Sequence, residues 1–483
     1  MNMGSKAMGA LVWNVFSSGL VQFIQVIISL ILARLLTPDL FGTYAILIMI
    51  NAFCQIIIES GLVSSLIRTK TLTIKDYSTV FTFQVVISIV LYIFIYFAST
   101  RISIFFNNIV PYHYIQITSL ILIIKAFYSL HEMKLIRDLN FKLIAKFNII
   151  SNILAGMIAI YLALHNFGVL SLIFMLFIQS TVYGALLWIM VDLQIRVTID
   201  MKSLKGHLKF GSYLMLSGVL DSIFQQVYQV IIGKYFLLTQ LAFYNKASAY
   251  SQLPIQMIVN PVNSVVYPIL ANFSDDKLKL KLFYKKILLT TFFLLTPIML
   301  VSAILMDNFI LWILTDKWIG IVPYFRILTL VAILYPIHYY NLNVLKVLGK
   351  TKLFFALDVV KKVIIVISIF IALPFGLEAL LWSQVVNSII FLLLNSILSK
   401  NLINYPLINQ LLDLLPVMSL CAITYAFCVF LKSKLNIIGL SNFLVLLCCG
   451  CLSLLVYFSM AYLLKLKPVE EIKNIKKLYD SSY

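Results

Sequence analysis

The stretch Met8–Tyr44 reads MGALVWNVFSSGLVQFIQVIISLILARLLTPDLFGTY. From Gly9 to Ala33 it carries no charged residue. As a helix rising about 1.5 Å per residue, it is long enough to cross a hydrocarbon layer of about 30 Å. Yet Asn14, Ser18, Gln22, Gln25 and Ser29 recur every three or four residues, so a helix collects them on one face. Polar groups left unpaired in hydrocarbon cost free energy. That face therefore meets protein or a water-filled space rather than lipid. The chain then leaves through Arg34, turns at Thr37-Pro38-Asp39 and re-enters.

The remaining sequence repeats this character. Of 483 residues, 62% are hydrophobic and 11% charged, against roughly 25% charged in soluble domains. Long continuous apolar runs exclude a closed β-barrel, whose strands alternate over shorter lengths. An all-α polytopic membrane protein follows. Candidate spans are 10–33, 42–66, 79–98, 112–132, 144–165, 168–191, 211–236, 243–270, 284–306, 323–345, 353–374, 376–398, 409–431 and 440–464, fourteen in all. The first lacks a cleavage site and is read as retained. The eighth, 243–270, holds Pro254, Pro261 and Pro268, which kink a spanning helix.

The net charge of +19 marks cytoplasmic loops and anionic-lipid contact rather than nucleic acid. With the N-terminus inside, most of the 37 Lys and Arg residues fall on the cytoplasmic side, which places both termini there. The six Cys residues all lie in apolar segments and read as small buried hydrophobes. No Cys/His metal spacing, phosphate loop or nucleophile–base set is present, so no metal, cofactor or catalytic residue is expected, and the chain reads as a transporter rather than an enzyme.

Two halves echo each other. Ser18-x3-Gln22-x2-Gln25-Val-Ile-Ile28 recurs as Ser222-x3-Gln226-x2-Gln229-Val-Ile-Ile232, Pro111-Tyr112 as Pro323-Tyr324, and Phe167-Gly168-Val169 as Phe375-Gly376-Leu377. Parallel six-helix repeats follow, with an N-lobe at 1–191, a linker at 192–210, a C-lobe at 211–400, two extra spans at 401–464 and a basic tail at 465–483. Within the linker, Ser203–Lys209 reads as a cationic interfacial helix with His207 on its surface.

Helices 1, 2, 7 and 8 each show a wet face. Gln22 and Gln25 mark the first, Asn51, Gln55 and Glu59 the second, Gln226 and Gln229 the seventh, and Asn245, Ser248, Gln252, Gln256, Asn260 and Asn263 the eighth. These stripes either line a central cavity between the lobes or hydrogen-bond helix to helix. Lys125, Lys361 and Lys362 lie inside spans, where a charge is costly and marks function by default. A cationic cavity would attract an anionic head group; the alternatives are a carboxylate partner for Lys125 and snorkelling for Lys361 and Lys362. Glu59 and Asp221 are candidate ion-coupling carboxylates, and Lys246 and Arg326 stand near the outer mouth.

The segment Ala33–Tyr44, ARLLTPDLFGTY, resembles the first hairpin of Wzx-type polysaccharide and O-antigen flippases of the multidrug/oligosaccharidyl-lipid/polysaccharide exporter (MOP) superfamily. Val265–Leu270 and Leu311–Trp318 fit the same pattern. The resemblance implies a V-shaped pair of six-helix lobes with two extra helices, in the bacterial inner membrane, working by alternating access. It also implies a cargo of undecaprenyl-pyrophosphate-linked oligosaccharide and the company of other polysaccharide-assembly proteins. A cation-coupled drug antiporter of the same superfamily is the alternative, and a membrane polymerase or ligase a more distant one, disfavoured by the absence of a large outer loop.

Overall fold

In the computed structural model the turn at Thr37 separates two helices, α1 (Met3–Leu35) and α2 (Pro38–Glu59). Pro38 opens α2, where its fixed φ suits a first turn and its missing N–H is no loss. The structure describes residues 3–59, 61–69, 72–273 and 276–471, with side chains from Gly19 onward except at 210, 211, 213, 214, 260, 261, 263–269, 271, 272 and 351. The side chains of Asn14, Ser18, Asn260 and Asn263, most of the Val265–Leu270 motif, and the basic tail beyond 471 lie outside the described residues.

The chain continues through α3 (Leu62–Arg68), α4 (Ile74–Phe105), α5 (Tyr112–Ser119), α6 (Ile121–Arg137), α7 (Phe141–Leu164), α8 (Val169–Met190), α9 (Met201–Tyr235) and α10 (Leu238–Asn272). Next come α11 (Lys277–Ile313), α12 (Ile321–Val347), α13 (Thr351–Ala372), α14 (Leu377–Ile403), α15 (Leu407–Ile437) and α16 (Asn442–Leu463). Each segment expected to span coincides with one helix or with two in succession. Among the described residues ten helices are long and apolar enough to cross a membrane, with α5 and α6 taken together. The described part of α1, Gly19–Leu35, is a shorter apolar helix.

Three local readings change. The second expected span breaks at Gly61, whose φ of +64° ends α2 and starts α3. The fourth breaks at Leu120 between α5 and α6. The expected separate interfacial helix at 203–209 is instead the first part of α9, which runs unbroken for 35 residues from its Asp200 cap. His207 is accordingly not a surface residue. It is 8% exposed, its Nδ1 lies 2.8 Å from Ser65 Oγ, and its Nε2 lies 3.6 Å from Asp76 Oδ1. Docking of α9 on α3 and α4 buries it.

Gly168 and Gly376, paired by the internal echo, do the same work. They take φ of +56° and +90° and stand at the N-caps of α8 and α14, a region L side chains avoid.

The chain divides into two compact units, Met1–Asn245 and Lys246–Tyr483. In the first, α7 packs on α8 and α1, α4 on α5 and α6, α6 on α8, and α9 on α2. Small residues allow close approach. A Cβ on Gly42 would stand 2.1 Å from the Leu238 carbonyl oxygen, and one on Gly156 2.5 Å from Ile28 Cδ1. In the second unit α11 is central and touches α12, α14, α15 and α16. Two thirds of its apolar stretch (67%) is buried, against 22% for α16, so α16 faces outward. The core around α11 holds Tyr284, Phe293, Tyr340, Tyr405 and Tyr457. Buried amides bind it together: Asn341 Oδ1 accepts from Tyr284 Oη at 2.8 Å and Gln410 Nε2 donates to Ser399 Oγ at 3.0 Å. Here the helix-to-helix role of polar residues applies.

Candidate functional site

Within the first unit a cavity of about 480 Å³ opens among α2, α6, α7, α8 and α9. Its wall follows from helical periodicity. Ile121, Lys125, Tyr128 and Glu132 stand four, three and four apart on α6, and Leu176, Gln179 or Ser180, and Tyr183 repeat that spacing on α8. Asn51 and Gln55 come from α2, Asn148 from α7, and Ser222, Gln225 and Gln226 from α9. The stripes of the second and seventh helices thus meet at one space.

Its chemistry is mixed. Lys125 has no carboxylate within 4.0 Å among the described residues, but the charges of Glu59 and Glu132 both act on it, so the expected carboxylate partner stands as a longer-range interaction. Glu132 is held by Tyr183, whose Oη donates to Oε1 at 2.9 Å. The Tyr128 and Tyr183 rings meet edge to face at 5.4 Å between centroids. Gly184 makes room for this pair: a Cβ there would lie 2.8 Å from Tyr128 Cδ1. Asn51 Nδ2 donates to the Leu47 carbonyl at 2.9 Å and Gln55 Nε2 to Glu59 Oε1 at 3.1 Å. Asn51 Oδ1, Gln55 Oε1 and Gln226 Oε1 are buried without a protein donor among the described residues. Unpaired buried acceptors are costly, so this space is prepared for donors from elsewhere.

A smaller cavity of about 250 Å³ adjoins it, sharing Leu176 and Gln179, and takes in Gln25, Ser29, Tyr44 and Asn152. Gln25 Nε2 donates to Asn152 Oδ1 at 3.2 Å. Gln22 and Gln229 are half-buried and line neither cavity. Glu59 is exposed beside Gln55, and Asp221 is half-buried next to Ser222.

The second unit holds the other candidates. Lys361 is 8% exposed and lies over the Phe391 ring at 5.6 Å; Lys362 pairs with Asp358 at 2.6 Å. Gln252 and Gln256 are exposed on α10. Lys246 is buried over the Trp318 ring at 6.0 Å, and Arg326 approaches Asp307 at 3.9 Å. No group of three or more His, Cys, Asp or Glu suited to a metal occurs among the described residues.

Sequence reasoning missed Glu132, Tyr128, Tyr183, Asn148 and Gln179 as parts of the site. Glu132 was within reach, since it stands seven residues after Lys125 on an apolar helix. The tyrosines were not, because an aromatic in an apolar run gives no sign of which way it faces.

The sequence model of the family described as "Polysaccharide biosynthesis protein" matches residues 31–323. The teichuronic acid biosynthesis protein TuaB of Bacillus subtilis (strain 168) is 24% identical over 386 residues, 78% of this chain and 79% of that protein. The fold is similar to that of the lipid II flippase MurJ in an inward closed conformation, with a TM-score of 0.71, 17% identity, and 95% and 98% of the two chains covered. It is also similar to an inward-facing multidrug resistance MATE family transporter of the MOP superfamily, with a TM-score of 0.61, 14% identity, and 78% and 95% covered. A family match over more than half of the chain leads to one conclusion: this chain belongs to the polysaccharide biosynthesis protein family.

Proposed function

We propose that this chain is a flippase that moves undecaprenyl-pyrophosphate-linked oligosaccharide from the cytoplasmic to the periplasmic leaflet of a bacterial inner membrane, for surface polysaccharide assembly. One observation carries the reading: Lys125, with no carboxylate within 4.0 Å among the described residues, shares a cavity among apolar helices with buried amide oxygens that lack donors among the described residues. A phosphate suits the ammonium, and sugar hydroxyls suit the oxygens. The family description and the name of TuaB, a teichuronic acid biosynthesis protein, support the cargo class. MurJ, called a lipid II flippase, supports a lipid-borne cargo.

In this reading the chain crosses the membrane fourteen times with both termini cytoplasmic. It uses an N-lobe of 1–191, a linker of 192–210, a C-lobe of 211–400, extra spans in 401–464 and a basic tail from 465 in an alternating-access cycle. Lys361 and Lys362 assist the head group, Gln22, Gln25, Gln55, Gln226, Gln229, Gln252 and Gln256 the glycan, and Glu59 or Asp221 the coupling ion.

Glu132 favours a second reading, a cation-coupled antiporter for small cations, because it places a carboxylate in the same cavity. Liposomes holding the purified chain and a lipid-linked oligosaccharide separate the two. Protein-dependent movement of the glycan to the far leaflet, read by its accessibility to an added glycosidase, supports the flippase. No movement of the glycan together with uptake of an organic cation would replace it with the antiporter.

A further inference from the structure

In the second unit a cavity of about 540 Å³ lies beside the first turns of α11. Four ammonium groups border it: Lys279, Lys285 and Lys286 from α11, and Lys467 from the segment after α16. Its other wall is apolar, with Leu282, Phe283 and Leu289 on the same helix. Phe273, just past the end of α10, also lines it and meets Phe283 edge to face at 5.7 Å. On α11 the spacing 279, 282–283, 286 and 289 keeps basic and apolar groups on one face. The face passes from charge to hydrocarbon where the uncharged run beginning at Ile287 starts.

We propose that this cavity binds the phosphate of an anionic bilayer phospholipid, with an acyl chain along Leu282, Phe283 and Leu289. The acidic neighbours leave the site cationic. Asp413 holds Lys285 at 2.5 Å and also accepts from Tyr405 Oη at 2.5 Å, so Lys285 is a fixed part of the frame. Glu471 contacts Lys286, and Asp276 contacts Lys279 at 3.2 Å with both side chains largely exposed. Such an exposed pair contributes little and yields readily to a phosphate. Lys467 is exposed and has no carboxylate within 4.0 Å among the described residues. A free phosphate would use the ammonium groups but leave the apolar wall uncovered. A lipid covers both, as expected of a basic pocket between membrane helices. The proposal needs only a membrane location and stands apart from the flippase reading.

Native mass spectrometry of the full chain, delipidated in neutral detergent, tests it with phosphatidylglycerol, phosphatidylethanolamine and inorganic phosphate as probes. Phosphatidylglycerol should bind in preference to phosphatidylethanolamine and resist displacement by excess phosphate. The exposed double variant K279Q/K467Q should bind it roughly tenfold more weakly, at about 1 kcal/mol for each basic residue lost, less local screening. K142Q/K146Q, an equal charge change in the first unit, should leave binding unchanged. Leu282→Ser should weaken lipid binding with the lysines intact. Equal loss in K142Q/K146Q, equal binding of the two lipids, or full displacement by phosphate overturns the site.

Discussion

Lys125 is where sequence and geometry say most about a single residue. Its charge inside an apolar helix was conspicuous, and the structure gives it a cavity to act in. Lys125→Ala should lower flipping of the lipid-linked probe by about 10- to 100-fold, the range for losing one hydrogen bond to a charged group, while leaving the melting temperature nearly unchanged. Equal flipping by the variant would remove Lys125 from the mechanism. Asp200 offers a second test at this scale. The backbone N–H groups of Ser203 and Lys202 donate to its carboxylate at 3.1 and 2.8 Å, which holds its pKa below the ordinary value. A depressed folded-state pKa means that the cap contributes fully above the unfolded value of about 3.9 and is lost as pH falls through the folded one. Hydrogen exchange, corrected for its intrinsic rate, should show the first turn of α9 losing protection in that acid window. Asp200→Asn should abolish the pH dependence and keep the cap.

At the scale of elements, two contacts decide how helices dock. Gly42 lies in the motif that carries the family resemblance, and its role is steric: backbone of Leu238 occupies the place a Cβ would take. Backbone cannot swing aside, so Gly42→Ala should destabilise the first unit by about 1–3 kcal/mol, seen as a lower melting temperature. A melting curve like that of the parent chain would mean that α2 and α10 part at little cost. In the second unit Lys432 joins α15 to α11. Its Nζ donates to Asp307 Oδ1 and Oδ2 at 2.5 and 2.6 Å and to the Ile304 carbonyl at 2.7 Å. Lys432→Ala should cost about 2 kcal/mol, with partial exposure of the pair keeping the loss below that of a buried one. Both elements were visible in sequence as helices, but neither contact was. Helix periodicity fixes which residues share a face and says nothing of which neighbour that face meets.

At the scale of the whole molecule the charge bias makes a prediction of its own. With most Lys and Arg on one side, both termini should lie in the cytoplasm. Reporter fusions at each end should be active only as cytoplasmic reporters, and a periplasmic signal from either would overturn the orientation. The positions of all the expected helices were legible, because long apolar runs and their polar breaks follow from the cost of unpaired backbone in hydrocarbon. The breaks at Gly61 and Leu120, and the fusion of 203–209 into α9, were not. A local bend depends on what the helix packs against, as does the burial of His207 between Ser65 and Asp76.

Met8–Tyr44 shows the division. By itself the sequence determined that this stretch is a helix with one polar face, that it turns at Thr37-Pro38, and that it belongs to a polytopic membrane chain. These follow from local chemistry: hydrophobicity, periodicity and the restricted backbone of proline. Only the tertiary structure decided that Gln25 meets Asn152, and that Gln55 and Gln226 join Lys125 and Glu132 around one cavity. That choice rests on packing between helices distant in the chain, where a close approach at Gly42 or room for a ring at Gly184 selects one neighbour among many equally apolar ones.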